Sequence, residues 1–275
     1  MALFNSSRLR ERRQGLEALN ELLKGKSRCN VIHYSCESFV TNHGKTPRVT
    51  SICVMNLKSG QTKSFSIHLQ AQIMGLDFNN LGDEQYDELE KNMLDDFSLY
   101  VTQNPTHGWV HWKMRDSNYG FEAINNRIKI LKGTTFQIPD DFKYDFPKIL
   151  ELLYTYDYEL TKPNGRLLNL AKRNNISTFN AMTGKEEADA FDNKEYLKLH
   201  MSTLKKVDII KSIIQRIENN QLKVNTKKRH IYGVSFSGII AIIKETPSLW
   251  IIMSIIIYII SSVLEPVFQK IFGTG

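Results

Sequence analysis

The runs 30-NVIHYSCESF-39, 48-RVTSICVMNL-57 and 62-TKSFSIHL-69 decide the fold. Each is rich in β-branched and aromatic residues and bounded by polar or turn-forming positions, the pattern of a strand. Lys58-Ser59-Gly60-Gln61 joins the second run to the third as a hairpin loop. Three strands in quick succession predict an antiparallel start to a sheet. Helical periodicity then covers 83–103, with Tyr86, Leu89, Met93, Leu94 and Phe97 on one side. A short strand is expected over 108–113 and a helix over 117–131. A loop-rich stretch follows over 133–145, then short helices near 146–153 and 164–173. A long helix is expected over 193–220, with Leu197, Leu204, Val207, Ile210, Ile214 and Ile217 as its buried stripe. The order is α/β, a mixed sheet flanked by helices.

Upstream, residues 6–24 read as a helix that Ser6 or Ser7 would cap. Leu9, Leu16, Leu19 and Leu23 share a face, and Arg8, Arg10, Arg12 and Arg13 occupy much of the remainder. Such a helix either packs on its own domain or lies on a membrane surface. The 275 residues carry a net charge of +7, which suits anionic lipid or nucleic acid as a partner. Cys29, Cys36 and Cys53 have no metal-ligand spacing and read as buried free thiols of a reducing compartment. Gly44-Lys45-Thr46 fails as a phosphate loop. Phe39 stands where its first glycine belongs, and Pro47 opens a strand instead of a helix. His107 and His111 lack a third ligand for zinc.

Downstream, 248-SLWIIMSIIIYIISSVL-264 is seventeen residues without a charge. As a helix it is roughly 26 Å long, at the low edge of the ~30 Å a bilayer core demands. Lys223, Lys227, Lys228, Arg229 and Lys244 precede it and only Lys270 follows. The positive-inside rule then predicts a single-pass C-terminal anchor in an inner or plasma membrane, with the N-terminal domain cytoplasmic. The apolar stretch 234–243 is too short to span and would lie on the surface or re-enter. The expected organisation is a basic amphipathic helix over 1–27 and a folded domain over 28–222. A basic and apolar juxtamembrane segment over 223–247 then leads to a transmembrane helix over 248–264, with a short tail to 275.

Three constellations hold residues suited to chemistry. Ser35 and Glu37 alternate onto one side of the first strand. The run 110-VHWKMRD-116 sits at a strand-to-helix junction, where Asp116 is either a metal ligand or a cap for the next helix. The run 199-LHMSTLKKVDII-210 places His200, Thr203 and Asp208 on the long helix, where a solvated polar face is the plain alternative. Together they resemble the motifs of the DEDD 3′–5′ exonuclease family, a branch of the ribonuclease-H-like fold, over roughly residues 28–220. The family's Asp-x-Glu would fall on Ser35 and Glu37, and its second motif on His111, Trp112 and Asp116. Its third motif falls on Thr203 and Asp208, or on His200 and Lys205 in the other register. The resemblance implies a ribonuclease-H-like mixed sheet with an antiparallel start. It also implies a site in which Glu37, Asp116 and Asp208 hold Mg²⁺ or Mn²⁺ if the protein is active.

Ser35 brings no charge where the first aspartate belongs, and the late histidine is lost in the register that keeps Asp208. The resemblance therefore implies a degenerate site that binds or senses nucleic acid. Trp112, Lys113, Arg115 and Tyr119 supply the stacking-plus-charge mixture of a single-strand groove, although strand-borne tryptophans commonly pack in a core. An active metal-dependent exonuclease is the alternative. A third reading, by analogy, is a membrane-perturbing effector of a bacterial antiviral or toxin system, with the soluble domain as its sensor. The lipid bilayer, single-stranded nucleic acid, and a protein partner or second copy are the partners these readings name.

Overall fold

The computed structural model describes residues 7–37, 46–77, 80–115, 118–245 and 247–272. The three opening runs form β1 (Cys29–Cys36), β2 (Val49–Asn56) and β3 (Thr62–Ser66), with β1 antiparallel to β2 and β2 antiparallel to β3. On the other side of β1, β4 (Gly108–His111) runs parallel to it, and β5 (Lys143–Asp145) runs parallel to β4. The five strands lie in the order β3-β2-β1-β4-β5. The helices are α1 (Ser7–Lys24), α2 (Ile67–Ile73), α3 (Asp83–Gln103), α4 (Phe121–Ile130), α5 (Phe146–Tyr154), α6 (Arg166–Arg173), α7 (Gly184–Asp192), α8 (Tyr196–Glu218), α9 (Lys228–Tyr232), α10 (Phe236–Lys244) and α11 (Pro247–Phe272). The chain is an α/β protein with a mixed sheet between two layers of helix.

Strand alternation sorts the core. Ile32, Tyr34, Ile52, Val54, Phe65 and Trp109 pack with α3 and α4. Val31, Cys53 and Val110 pack with α1, α5, α6 and α8. Phe97 sits at the centre of the first layer, edge-on to Phe65 at 5.5 Å and to Phe136 at 5.2 Å. Burying such a ring contributes about 1.5–3 kcal/mol.

Several elements differ from expectation. The third strand ends at Ser66, where Ile67 and Ala71 turn one apolar face inward as α2 instead of continuing to residue 69. The helix expected from 117 begins at Phe121. A Cβ at Gly120 would sit 2.7 Å from the backbone carbon of Met114, so the chain closes a tight turn there first. The loop-rich stretch contains β5, too short to show alternation. In α8 the inward stripe runs through Leu199, Thr203, Val207, Ile210, Ile214 and Ile217, while Leu197 is exposed. His200 and Thr203 are therefore buried and do not form a solvated face.

In α1 the buried side carries Arg12, Gly15, Leu19 and Leu22. Gly15 permits the close crossing on α5, because a Cβ there would lie 2.9 Å from that of Leu152. Arg8 Nη2 donates to the Leu152 carbonyl at 2.6 Å, and Arg12 Nη1 to that of Leu153 at 2.9 Å. Two cations thus satisfy orphan carbonyls at the C-terminus of α5. Half of the basic cluster is spent inside the protein, which answers why α1 packs on its own domain.

Among the described residues no single helix is long and apolar enough to cross a membrane. The helices Phe236–Lys244 and Ser248–Leu264 meet that requirement only as a pair, and their axes differ by 108°. The run expected to span, 248–264, is the second member of that pair. Both members expose large apolar side chains, among them Phe236, Ile239, Trp250, Ile251 and Ile257.

Candidate functional site

The carboxyl end of β1 faces the first turns of α8, and there the two elements meet through hydroxyls. Ser35 Oγ lies 2.5 Å from Thr203 Oγ1, and Ser51 Oγ, from the paired position on β2, donates to the same atom at 3.1 Å. Thr203 donates its own proton to the Leu199 carbonyl at 2.9 Å. One donation and two acceptances use the full capacity of a hydroxyl, so Ser35 is the donor in the shortest contact. All three residues are buried. The hydroxyl cluster itself is neutral and saturated, and one turn further along α8 the buried Lys206 pairs with Glu187 at 2.6 Å.

Glu37 continues past this point. Its backbone N–H donates to the Arg48 carbonyl at 2.8 Å, and its Oε2 accepts from Arg48 N at 3.3 Å. A register shift between Ser35 and Cys36 leaves Thr50 as the extra residue of a bulge, and such a bulge re-aims the strand end. Glu37 lines a cavity of about 600 Å³ with Thr46, Tyr86, Phe191, Lys194 and Tyr196. One wall is an ion cluster around Glu90, which is 0% exposed. Arg127 clasps Glu90 through Nε at 2.9 Å and Nη2 at 2.6 Å, and Val49 N donates to it at 2.7 Å. Arg48 bonds Asp87 at 2.7 Å and packs over the Tyr86 ring at 5.3 Å. Tyr86 and Tyr196 meet edge to face at 5.8 Å.

Asp208 is placed elsewhere. It pairs with Lys205 at 2.7 Å on a half-exposed side of α8. It lies five residues beyond Thr203, roughly 7.5 Å along the axis. That direction leads to the β2–β3 hairpin, where Lys211 abuts Gly60, and away from Glu37. Asp116 lies outside the described residues. Among the described residues no group of three histidine, cysteine or acidic side chains is placed to hold a metal ion. Of the three carboxylates, the two described ones are engaged separately, Glu37 with the Arg48 backbone and Asp208 with Lys205.

His111 and His200, the motif histidines, are held neutral. Burial first, then Arg115 and Lys143, lowers His111 to about 4. Its Nδ1 accepts from Met114 N at 3.1 Å, a role only the neutral ring can fill. Burial, then His68, lowers His200 to about 4. Its Nδ1 is 3.8 Å from Cys53 Sγ, and burial raises that thiol to about 12, so it is no nucleophile.

The four candidate nucleic-acid contacts separate in space. Trp112 is 9% exposed and packs on Phe146 at 6.2 Å, so its ring faces the core and offers no stacking surface. Tyr119 stacks on Tyr34 at 4.5 Å and donates to the Tyr34 carbonyl. Lys113 is exposed, with φ at 59°, and Arg115 is exposed and paired to Asp145 at 2.7 Å. The cavity beside Glu37 has aromatic residues of its own, Tyr86, Phe191 and Tyr196, and their helical spacing reads as core. No family model, curated protein or solved structure matches the chain.

Proposed function

We propose that this chain is a membrane-tethered domain of ribonuclease-H-like, exonuclease-derived architecture that binds single-stranded nucleic acid without cleaving it. The order β3-β2-β1-β4-β5, with an antiparallel start and two parallel additions, supports the architecture. The observation that carries the loss of cleavage is the Ser35–Thr203–Ser51 hydroxyl cluster, in which Ser35 falls on the first-aspartate position of the resemblance and Thr203 on its late histidine, each hydrogen-bonded to the other. The cavity beside Glu37 supports binding by stacking through Tyr86, Phe191 and Tyr196, with Lys194 as its cation outside the Arg48–Arg127 ion cluster and Glu37, Asp83, Asp87 and Asp192 as its acids. The exposed apolar pair α10 and α11 supports tethering to an inner or plasma membrane with the domain on the cytoplasmic side.

The test uses the full chain in lipid nanodiscs with labelled single-stranded DNA and RNA and added Mg²⁺ or Mn²⁺. Binding without shortening is expected, weakened by Lys194→Glu and by salt. Metal-dependent shortening that Glu37→Gln abolishes would restore the active exonuclease. The same exposed helices favour a second reading, a membrane-perturbing effector whose sensor is the soluble domain. Depolarisation of expressing cells, absent when a charge is placed in the apolar run of the full chain by Ile256→Lys, is its signature.

A further inference from the structure

The C-terminal arm leaves the domain through a joint bonded to α1. Arg12 is 9% exposed, and its guanidinium packs 4.8 Å from the centre of the Tyr232 ring. It donates to Glu245 Oε2 at 2.8 Å, and Tyr232 Oη donates to the same oxygen at 2.5 Å. Glu245 is the residue that ends α10. At the other end of that helix, Ser235 Oγ accepts from Gly238 N at 3.2 Å as its cap. Gly238 is pressed on the preceding turn, since a Cβ would lie 2.5 Å from the Tyr232 carbonyl and 2.7 Å from that of Gly233. Both ends of α10 are therefore fixed to α9 and α1.

The side of α10 turned away from these contacts is apolar and exposed: Phe236, Ile239 and Ile240, at spacings of three and four, form one stripe. Lys244 is exposed at its C-terminal end, and Lys227 and Arg229 are exposed on and before α9, which packs against it. The one acid of the joint, Glu245, is matched by Arg12, so the outward charge is cationic. From α10 the chain turns by 108° into the apolar run of α11. If α11 stands along a membrane normal, α10 lies within 18° of the membrane plane (108 minus 90). An apolar stripe flanked by cations of its own end and of α9, lying in that plane, has the form of an interfacial helix.

We propose that α10 is a separate lipid-binding element. It lies flat in the headgroup boundary of an anionic bilayer with Phe236, Ile239 and Ile240 turned into it, while α11 enters the acyl region. This rests on the tethering proposed above and adds an element, an orientation and a lipid class to it. The domain is then held at a set angle and height, with Arg12 and Gly238 fixing the elbow.

The test places a polarity-sensitive dye at Ile239→Cys or Ile256→Cys in the full chain carrying Cys36→Ser, in nanodiscs with or without phosphatidylglycerol. Nitroxide lipids labelled near the headgroup or deep in the acyl chain serve as quenchers. The expected result is shallow quenching at 239 and deep quenching at 256, with the shallow signal falling in neutral lipid or high salt. A dye at 239 that stays in water, is quenched as deeply as 256, or ignores lipid charge would overturn the inference while 256 still reports the tether. A dye at 256 that stays in water would remove the tether itself.

Discussion

Ser35 and Thr203 lie 168 positions apart in the chain, yet their hydroxyl oxygens are 2.5 Å from one another, closing the carboxyl end of the central strand against α8. This contact does in neutral form what an acidic site would do through a bound cation: it fixes the helix to the strand. Ser51 completes it, and no lone pair on Thr203 remains for a ligand.

Replacing Thr203 by valine keeps the shape and removes the shared acceptor. Ser35 and Ser51 are then left buried without it, at a cost of about 1–3 kcal/mol. The double variant Ser35→Ala with Thr203→Val should lose less than the sum of the single changes, because the first orphan is gone. Urea unfolding of the four proteins measures the coupling, and strict additivity would show that the two hydroxyls act independently.

Arg127 decides the fate of Glu90. Asp87 is about half exposed and contributes little, so Asp87→Asn should cost under about 1 kcal/mol. Arg127→Ala leaves a fully buried carboxylate with one backbone donor and Arg48 at 3.5 Å, and should cost about 3–5 kcal/mol. Thermal melts that rank these two variants in the opposite order would refute the assignment.

Acid should loosen the fold through its histidines. His111 and His200 are lowered from 6.5 to about 4 in the folded protein, so the unfolded chain takes up protons first as pH falls. The neutral folded form is unpenalised above about pH 6.5 and loses stability progressively down to about pH 4. Each histidine accounts for about 1–2 kcal/mol between pH 6.5 and 5. Comparing unfolding midpoints at pH 7 and 5 for the parent and His200→Gln checks this, with a smaller drop expected in the variant.

The sheet was legible because its signals are local. β-Branched and aromatic runs in β1 and β2, and the Ser59-Gly60 turn between β2 and β3, identify the meander without tertiary knowledge. The helix α3 shows its periodicity over its full length. What escaped was decided by packing: three residues of β5 carry no alternation, and Ile67 suits a strand as well as a helix until Ala71 is buried beside it. One miss did have a local signal. Thr183 accepts from Glu186 N while the Glu186 side chain accepts from Thr183 N, a capping box that opens α7.

The site was less legible because motif spacing fixes order along the chain and not direction in space. Asp208 matched a spacing, yet Thr203 faces the strand, since positions 199, 203, 207 and 210 are the ones α8 turns inward. Likewise Trp112 looked like a stacking ring, and its place after β4 turns it toward Phe146.

The joint between Arg12 and Glu245 has a practical consequence for anyone handling this protein. A fragment cut near residue 230 to discard the oily helices also removes Tyr232 and Glu245, stranding an arginine that is 9% exposed and built to be matched. Trimming the first two dozen residues as a dispensable leader strips two carbonyl caps from α5 at the same stroke. Head and tail form one mechanical part, and measurements made on either truncation describe a different object from the whole chain.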